Sequence, residues 1–395
     1  MHKTIWFKIH FILGLTAGLV LLVVGTSGAI LSFEKEILRA INQDSYYVSV
    51  PTEQKKLSTK ELLEKFQEQK PQSKINGITI SSFEDDSVSI NVAGEGQNAR
   101  KGVTYYVNPY TAEILPELKG VSFFKTVENI HRRLLLDDLG KQVVALSVVS
   151  LLVLMFSGIY IYFPRIKKSF SQSLKLNFQS KGRFFLANLH SAIGMWVIPF
   201  YLVASLTGLY WSYEFVSNSL HSITGVEKPK KPQMKAPVEG QNKAQGEKSE
   251  QKLKEPRVEM PMQMGEKISF DDISLAVDTF KNSVENKYSS ATLRFPQKGS
   301  VYSFDYLAID SPHERAKNKI EFDIKTNEVS KHEKYEDKTL AQKLMGSILP
   351  LHTGEYFGVI GQTLMFLASL MMPLFAITGL ILYVKRTKKK KLIKE

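Results

Sequence analysis

Four long apolar runs, at residues 11–33, 143–163, 184–213 and 357–384, alternate with polar stretches along the chain. A helix of roughly 20 apolar residues crosses a hydrocarbon core about 30 Å thick, so each run predicts one transmembrane helix. The first follows a short basic stretch, as a signal peptide would. Its apolar run is too long for one, and no small-residue cleavage motif follows, so it reads as an uncleaved anchor.

Two polar segments, 34–142 and 214–356, are large enough to fold. Each starts with an amphipathic helical pattern, at 59–70 and 271–287. Strand-like alternation follows at 88–92, 104–107, 302–309 and 319–324. Asn108-Pro109 and Lys325-Thr326-Asn327 read as turns closing hairpins. The prediction is a membrane α-helical protein, a four-helix bundle carrying two small α+β domains.

The pattern repeats. Setting His10 on His190, an offset of 180, also superposes Gly14 on Gly194, Gly28 on Gly208, Glu34 on Glu214 and Phe33 on Tyr213. Setting His131 on His352, an offset of 221, superposes Gly140 on Gly361, Gly158 on Gly379, Tyr162 on Tyr383 and Arg165 on Arg386. The bundle is therefore expected to arise from a duplicated two-helix unit. The offsets differ by 41 residues, and the Lys-, Glu-, Gln- and Pro-rich stretch 226–265 is about that long, so it reads as a disordered linker. Its Met260, Met262 and Met264 are assigned no copper site. The predicted division is 1–33, first helix; 34–122, first α+β domain; 123–163, second helix with an extension; 164–183, basic loop; 184–213, third helix; 214–345, second α+β domain with the linker; 346–384, fourth helix with an extension; and 385–395, basic tail.

A net charge of +13 on 395 residues raises the question of nucleic acid. The cations instead border the apolar runs: Arg165, Lys167, Lys168, Lys175, Lys181 and Arg183 in the short loop, and Lys385, Arg386 and Lys388 to Lys391 in the tail. Cationic flanks of that kind mark the cytoplasmic side. Both termini are then cytoplasmic, both α+β domains lie outside, and no nucleic-acid partner is predicted.

With no cysteine, disulfides, iron–sulfur clusters and thiolate haem ligation are excluded. Of eight histidines, four take part in the repeat. His10 and His190 begin the two outward helices, and His131 and His352 precede the two inward ones. A parallel duplication is related by a pseudo-twofold axis along the membrane normal, so equivalent residues face one another. Two opposed imidazoles at equal depth are the axial ligand set of a six-coordinate b haem, and two haems are expected, one at each face. His2, His221, His313 and His332 have no repeat partner and are expected at the surface.

Gly14 and Gly194 lie one turn beyond the inner histidines, on the same face, and leave room for a porphyrin. Gly158 and Gly379 are assigned to close helix packing. Lys3, Lys8, Lys181 and Arg183 border the inner pair, but topology alone accounts for them. Arg132 and Arg133, which run against that charge bias, are the better partners for haem propionates. Glu34 and Glu214 either hold a proton or cation near the outer pair or are simply the first solvated residues after an apolar run. Trp196, Trp211, Met155 and Tyr210 are core-packing residues that would also neighbour any electron relay.

Lys8, Ile9 and His10 with Gly14, Ile130 to Arg132 with Gly140, Leu189 and His190 with Gly194 to Trp196, and Leu351 to Gly354 with Gly358 resemble the PepSY-associated transmembrane family of bacterial inner-membrane proteins. Residues 106–114 resemble the closing hairpin of a PepSY module. The likeness spans nearly the whole chain except the linker. It implies two extracytoplasmic PepSY-like domains, a multi-pass protein in the lipid bilayer of the inner membrane, and kinship with haem-carrying ferric-siderophore reductases. No G-x-G-x-x-G or flavodoxin-like segment supplies an electron input, so a separate cytoplasmic or quinol donor is expected. The alternative is a non-enzymatic anchor whose PepSY-like domains bind or restrain an envelope protease or another partner. A carrier moving the iron complex itself ranks last, because four unbroken helices offer no polar mid-membrane path.

Overall fold

The computed structural model describes residues 2–95, 101–228, 269–285, 287–296, 300–326 and 328–392. The helices are α1 (His2–Leu31), α2 (Glu34–Ile41), α3 (Gln43–Tyr46), α4 (Thr59–Gln69), α5 (Val121–Arg133), α6 (Asp137–Lys168), α7 (Phe170–Ser173), α8 (Gly182–Ser212), α9 (Glu214–Thr224), α10 (Phe270–Ser283), α11 (Leu340–Gly346), α12 (Ile348–Thr353) and α13 (Gly358–Leu392). The strands are β1 (Ile75–Ile80), β2 (Val88–Val92), β3 (Val103–Val107), β4 (Tyr288–Arg294), β5 (Val301–Ala308), β6 (Asn318–Asp323) and β7 (Glu328–Glu333).

Four helices, α1, α6, α8 and α13, are long and apolar enough to cross a membrane. Only 17% to 33% of the residues in their most apolar windows are buried by protein, so lipid must cover the faces left exposed. Both α1 and α8 pack against α6 and α13, which places α1 diagonally across the bundle from α8 and α6 diagonally from α13. At mid-height Ala17, Leu21, Met155, Val197, Tyr201, Ala368 and Met372 close the centre. A Cβ on Gly25 would overlap Met372, so that glycine sets how closely α1 approaches α13. The Tyr201 hydroxyl donates to the Ala368 carbonyl at 2.8 Å, which satisfies a phenol where no water can.

On one side of the bundle the strands form a single antiparallel sheet in the order β3-β2-β1-β4-β5-β6-β7. The two α+β modules read from sequence thus join edge to edge, with Ile78 opposite Leu293 and Thr79 opposite Thr292 across the β1–β4 seam. A Cβ on Gly77 would lie 2.5 Å from the Leu293 carbonyl, so the seam admits no side chain there. Helices α4 and α10 cover one face of the sheet. Ser58 and Glu61 cap α4 reciprocally, which fixes where it starts. Leu63, Phe66, Ile273 and Phe280 from these helices meet Ile78, Ile90, Leu293, Phe304 and Ile320 from the strands. Phe280 stacks on Phe304 at 4.5 Å, and truncating such a buried ring to alanine costs about 3–5 kcal/mol.

Short helices link sheet and bundle. α5 leads into α6, and α12, with a 3-10 turn at Glu355–Phe357, leads into α13. At each corner a helical glycine receives a carbonyl: a Cβ on Gly140 would overlap the Arg133 oxygen, and one on Gly361 the Gly354 oxygen. These corners hold α5 and α12 across the sheet-side end of the bundle.

Candidate functional site

At the end of the bundle away from the sheet, His10 on α1 and His190 on α8 face one another across the diagonal. Their ring centres are 6.4 Å apart and their planes cross at 72°. His10 Nδ1 lies 2.8 Å from the Ser157 hydroxyl on α6, and His190 Nδ1 lies 2.8 Å from the Thr378 hydroxyl on α13. The residue after each hydroxyl is a glycine. A Cβ on Gly158 would stand 3.4 Å from His10 Cε1, and one on Gly379 3.8 Å from His190 Cε1.

The sheet-side end repeats this geometry with the roles of the helices exchanged. His131 on α5 and His352 on α12 have ring centres 6.3 Å apart and planes crossed at 70°. His131 Nδ1 is 2.9 Å from the Val24 carbonyl and 3.2 Å from the Ser27 hydroxyl of α1. His352 Nδ1 is 2.8 Å from the Thr207 hydroxyl of α8. A Cβ on Gly28 or Gly208 would stand 3.1 Å or 3.7 Å from Cε1 of the same ring. Trp211 meets His352 edge-on at 5.4 Å.

An imidazole nitrogen binds a first-row metal ion at about 2.0–2.1 Å and its ring centre lies roughly 1.1 Å further back, so two coaxial rings sharing one ion sit roughly 6.3 Å apart. Both pairs have that spacing. Among the described residues no three His, Cys, Asp or Glu side chains converge. Two imidazoles alone leave an octahedral ion four ligands short, which are the four that a porphyrin supplies. Space is available as well: a cavity of about 880 Å³ surrounds His10 and His190. Gly14 and Gly194 both line it, and a Cβ on either would meet only one side chain, at 3.8 Å, Leu154 or Phe375. Cavities of ~300–1,000 Å³ with mainly apolar walls are typical of cofactor sites. The residues present fit a haem.

The two pairs are well separated. Along α1, His10 and Ser27 are 17 residues apart, and so are His190 and Thr207 along α8. At 1.5 Å per residue that is roughly 25 Å, most of a bilayer's apolar thickness. Between them Phe375 packs edge-on against both His190, at 5.2 Å, and Tyr201, at 6.1 Å.

Other residues singled out from sequence are distributed as follows. Lys8 and Arg183 border the cavity, and Lys3 and Lys181 do not. Arg132 pairs with Glu128 at 2.7 Å and Arg133 with Asp138 at 3.5 Å, all four side chains well exposed. Burial, with Glu128 nearby, holds the Glu34 carboxyl above its usual range, whereas Glu214 is solvated beside Lys228 at 3.5 Å. Trp196 turns outward and donates to the Leu174 carbonyl, away from the bundle axis. The linker 226–265 and its methionines lie almost wholly outside the described residues.

Two further expectations change. Gly158 and Gly379 face imidazoles, because the ring edge needs the space that a Cβ would fill. His313, expected at the surface, is only 7% exposed. Its Nε2 lies 3.2 Å from the Ser347 hydroxyl and 3.3 Å from that of Tyr335, and Nδ1 accepts from Arg315 N–H, so tertiary partners replace water. Sequence reading also missed the hydroxyls. Ser27-Gly28, Ser157-Gly158, Thr207-Gly208 and Thr378-Gly379 recur at the same two offsets as the histidines, and that recurrence was the available signal.

The model of the PepSY-associated TM region matches residues 7–386. The chain belongs to that family. No curated protein matches it. The PepSY-associated match runs from just before His10 to just after α13 loses its apolar character, so both histidine pairs and the whole sheet fall within it.

Proposed function

We propose that this PepSY-associated protein is a di-haem b electron-transfer protein that carries electrons across the bacterial inner membrane and reduces an extracytoplasmic ferric complex of the siderophore type. The observation that carries this reading is the pair of bis-histidine sites, one near each end of the bundle, with ring centres 6.4 Å and 6.3 Å apart. Haem, when bound, supplies a one-electron iron couple inside a hydrocarbon interior where no side chain of this chain can.

The chain's own residues do the rest. His10 and His190 would hold one group and His131 and His352 the other, each pair through its imidazole nitrogens. Gly14 and Gly194 make room for the macrocycle at the first site. Lys8 and Arg183, at the cavity border, suit propionates there, and Arg132 and Arg133 suit those of the second site by exchanging their carboxylate partners. The apolar centre around Leu21, Met155 and Met372 excludes water between the sites, so neither protons nor hydrated ions follow the electron.

The cationic loop 164–183 and the cationic tail support a cytoplasmic location for both termini, with the sheet outside as two fused PepSY-like modules of a duplicated unit. Electrons enter from a separate cytoplasmic or quinol donor. At the outer face one electron converts Fe(III), which prefers hard oxygen ligands, to the softer Fe(II), and the complex loosens. The test is a haem count with ligand variants. An anchor that merely binds an envelope partner through its sheet would carry no haem and would tolerate loss of all four histidines.

A further inference from the structure

The four hydroxyls beside the histidines have a role that can be read from where their protons go, given the haem reading above. Ser157 donates to the Leu154 carbonyl at 3.1 Å, Thr378 to Leu374 at 2.7 Å, Thr207 to Val203 at 2.6 Å and Ser27 to Val23 at 2.7 Å. A hydroxyl has one proton, so with that proton on its own helix carbonyl each of these accepts from the imidazole, and Nδ1 is then the protonated nitrogen. At His131 a second contact says the same, because the Val24 carbonyl at 2.9 Å cannot donate.

A neutral imidazole carries one N–H, so fixing it on Nδ1 leaves Nε2 a bare lone pair. None of the four Nε2 atoms has a hydrogen bond among the described residues. The glycine after each hydroxyl completes the arrangement. Cε1 sits between the two nitrogens, and in all four rings it lies against the position a Cβ would take, at 3.1 to 3.8 Å. The hydroxyl thus fixes Nδ1, the glycine admits Cε1, and together they set ring rotation as well as tautomer.

We infer that the four Ser/Thr-Gly dipeptides are positioning elements that hold each histidine as an Nδ1–H tautomer with Nε2 presented to haem iron, and that their neutral hydroxyls tune the reduction potential. A carboxylate in that place would draw the Nδ1 proton, make the ring more basic and favour the ferric state. A hydroxyl whose own proton is engaged draws far less, which keeps the ferrous state accessible. Ser27 is the weakest of the four, since Val24 shares its imidazole.

The experiment has two arms on the full-length protein. In haem-depleted protein with 15N-labelled histidine, NMR should find His10, His131, His190 and His352 as Nδ1–H tautomers at neutral pH. Ser157→Ala and Thr378→Val should each release one ring to the other tautomer, and Ser27→Ala should not. In haem-loaded protein the same two substitutions should weaken retention at that site by about 10–100-fold and shift its midpoint potential, while Ser157→Asp lowers that potential. Nε2–H tautomers in the wild type, or tautomers and potentials unmoved by every substitution, would overturn the inference. Haem-free protein from haem-replete cells would instead overturn the functional reading, and the tautomer arm would still decide the role of the hydroxyls.

Discussion

Asp137 and Gly358, 221 positions apart, both take a positive φ at the first residue of a membrane helix, 46° and 64°. Each follows a histidine-bearing short helix by a few residues. The first corner reaches this shape with Leu134, Leu135 and Asp137 all at positive φ, whereas the second uses Gly354 and Gly358. A non-glycine residue in that region costs roughly 1–2 kcal/mol, so the first corner is held against strain by its surroundings. Chief among these is the Arg133 carbonyl seated over Gly140.

Gly140→Ala should therefore dislodge the corner, destabilise the protein by about 3 kcal/mol or more, and remove the His131–His352 pair while leaving His10–His190 in place. Gly18→Ala is the control. A Cβ there meets nothing within 4 Å, and helix propensity favours the change by up to about 1 kcal/mol. Thermal unfolding in detergent of both variants checks the contrast; equal midpoints would show that the corner carries no such constraint.

Ser205 on α8, 180 positions after Gly25, is buried, and its hydroxyl has no hydrogen-bond partner among the described residues. An unpaired buried hydroxyl costs about 1–3 kcal/mol. Ser205→Ala should raise stability by about 1 kcal/mol with both histidine pairs unaltered. A fall in the unfolding midpoint would mean that the hydroxyl has a partner such as an ordered water.

His313 ties the sheet to the start of α12, five residues before His352. Burial holds its imidazole below the ordinary value of about 6.5, with Glu355 pulling the other way. Tyr335, Tyr356 and Ser347 complete its surroundings, and Glu314 and Glu355 both pair with Lys35 on α2. A base whose folded pKa is lowered binds its proton more readily when unfolded. Its contribution is thus full above about pH 6.5 and is lost as pH falls towards the lowered value. Wild-type protein should lose stability through that window more steeply than His313→Gln; parallel curves would refute the assignment.

Much of this architecture was legible because it depends on local pattern. The membrane helices follow from apolar runs, β2 from strict alternation at 88–92, and α4 from its apolar spacing. β1 and β4 were not read, since Asn76, Gly77, Ser289 and Ser290 interrupt their alternation. Their pairing, which fuses two modules into one sheet, joins residues more than 200 positions apart and leaves no trace in either segment. At the site, the histidines stood out because an ionisable side chain is rare in such segments. Ser27, Ser157, Thr207 and Thr378 did not, because small hydroxylated residues are common in membrane helices and only their contact with a distant imidazole distinguishes them.

The central claim is that two haems lie between two histidine pairs, and the most direct measurement is a pyridine haemochrome count with a reduced-minus-oxidised spectrum on detergent-purified protein. Two b haems per chain are predicted, falling to one in His190→Ala and to one in His352→Ala, with a different spectral component lost in each. A colourless protein from haem-replete cells, or a haem content indifferent to both substitutions, would contradict the account.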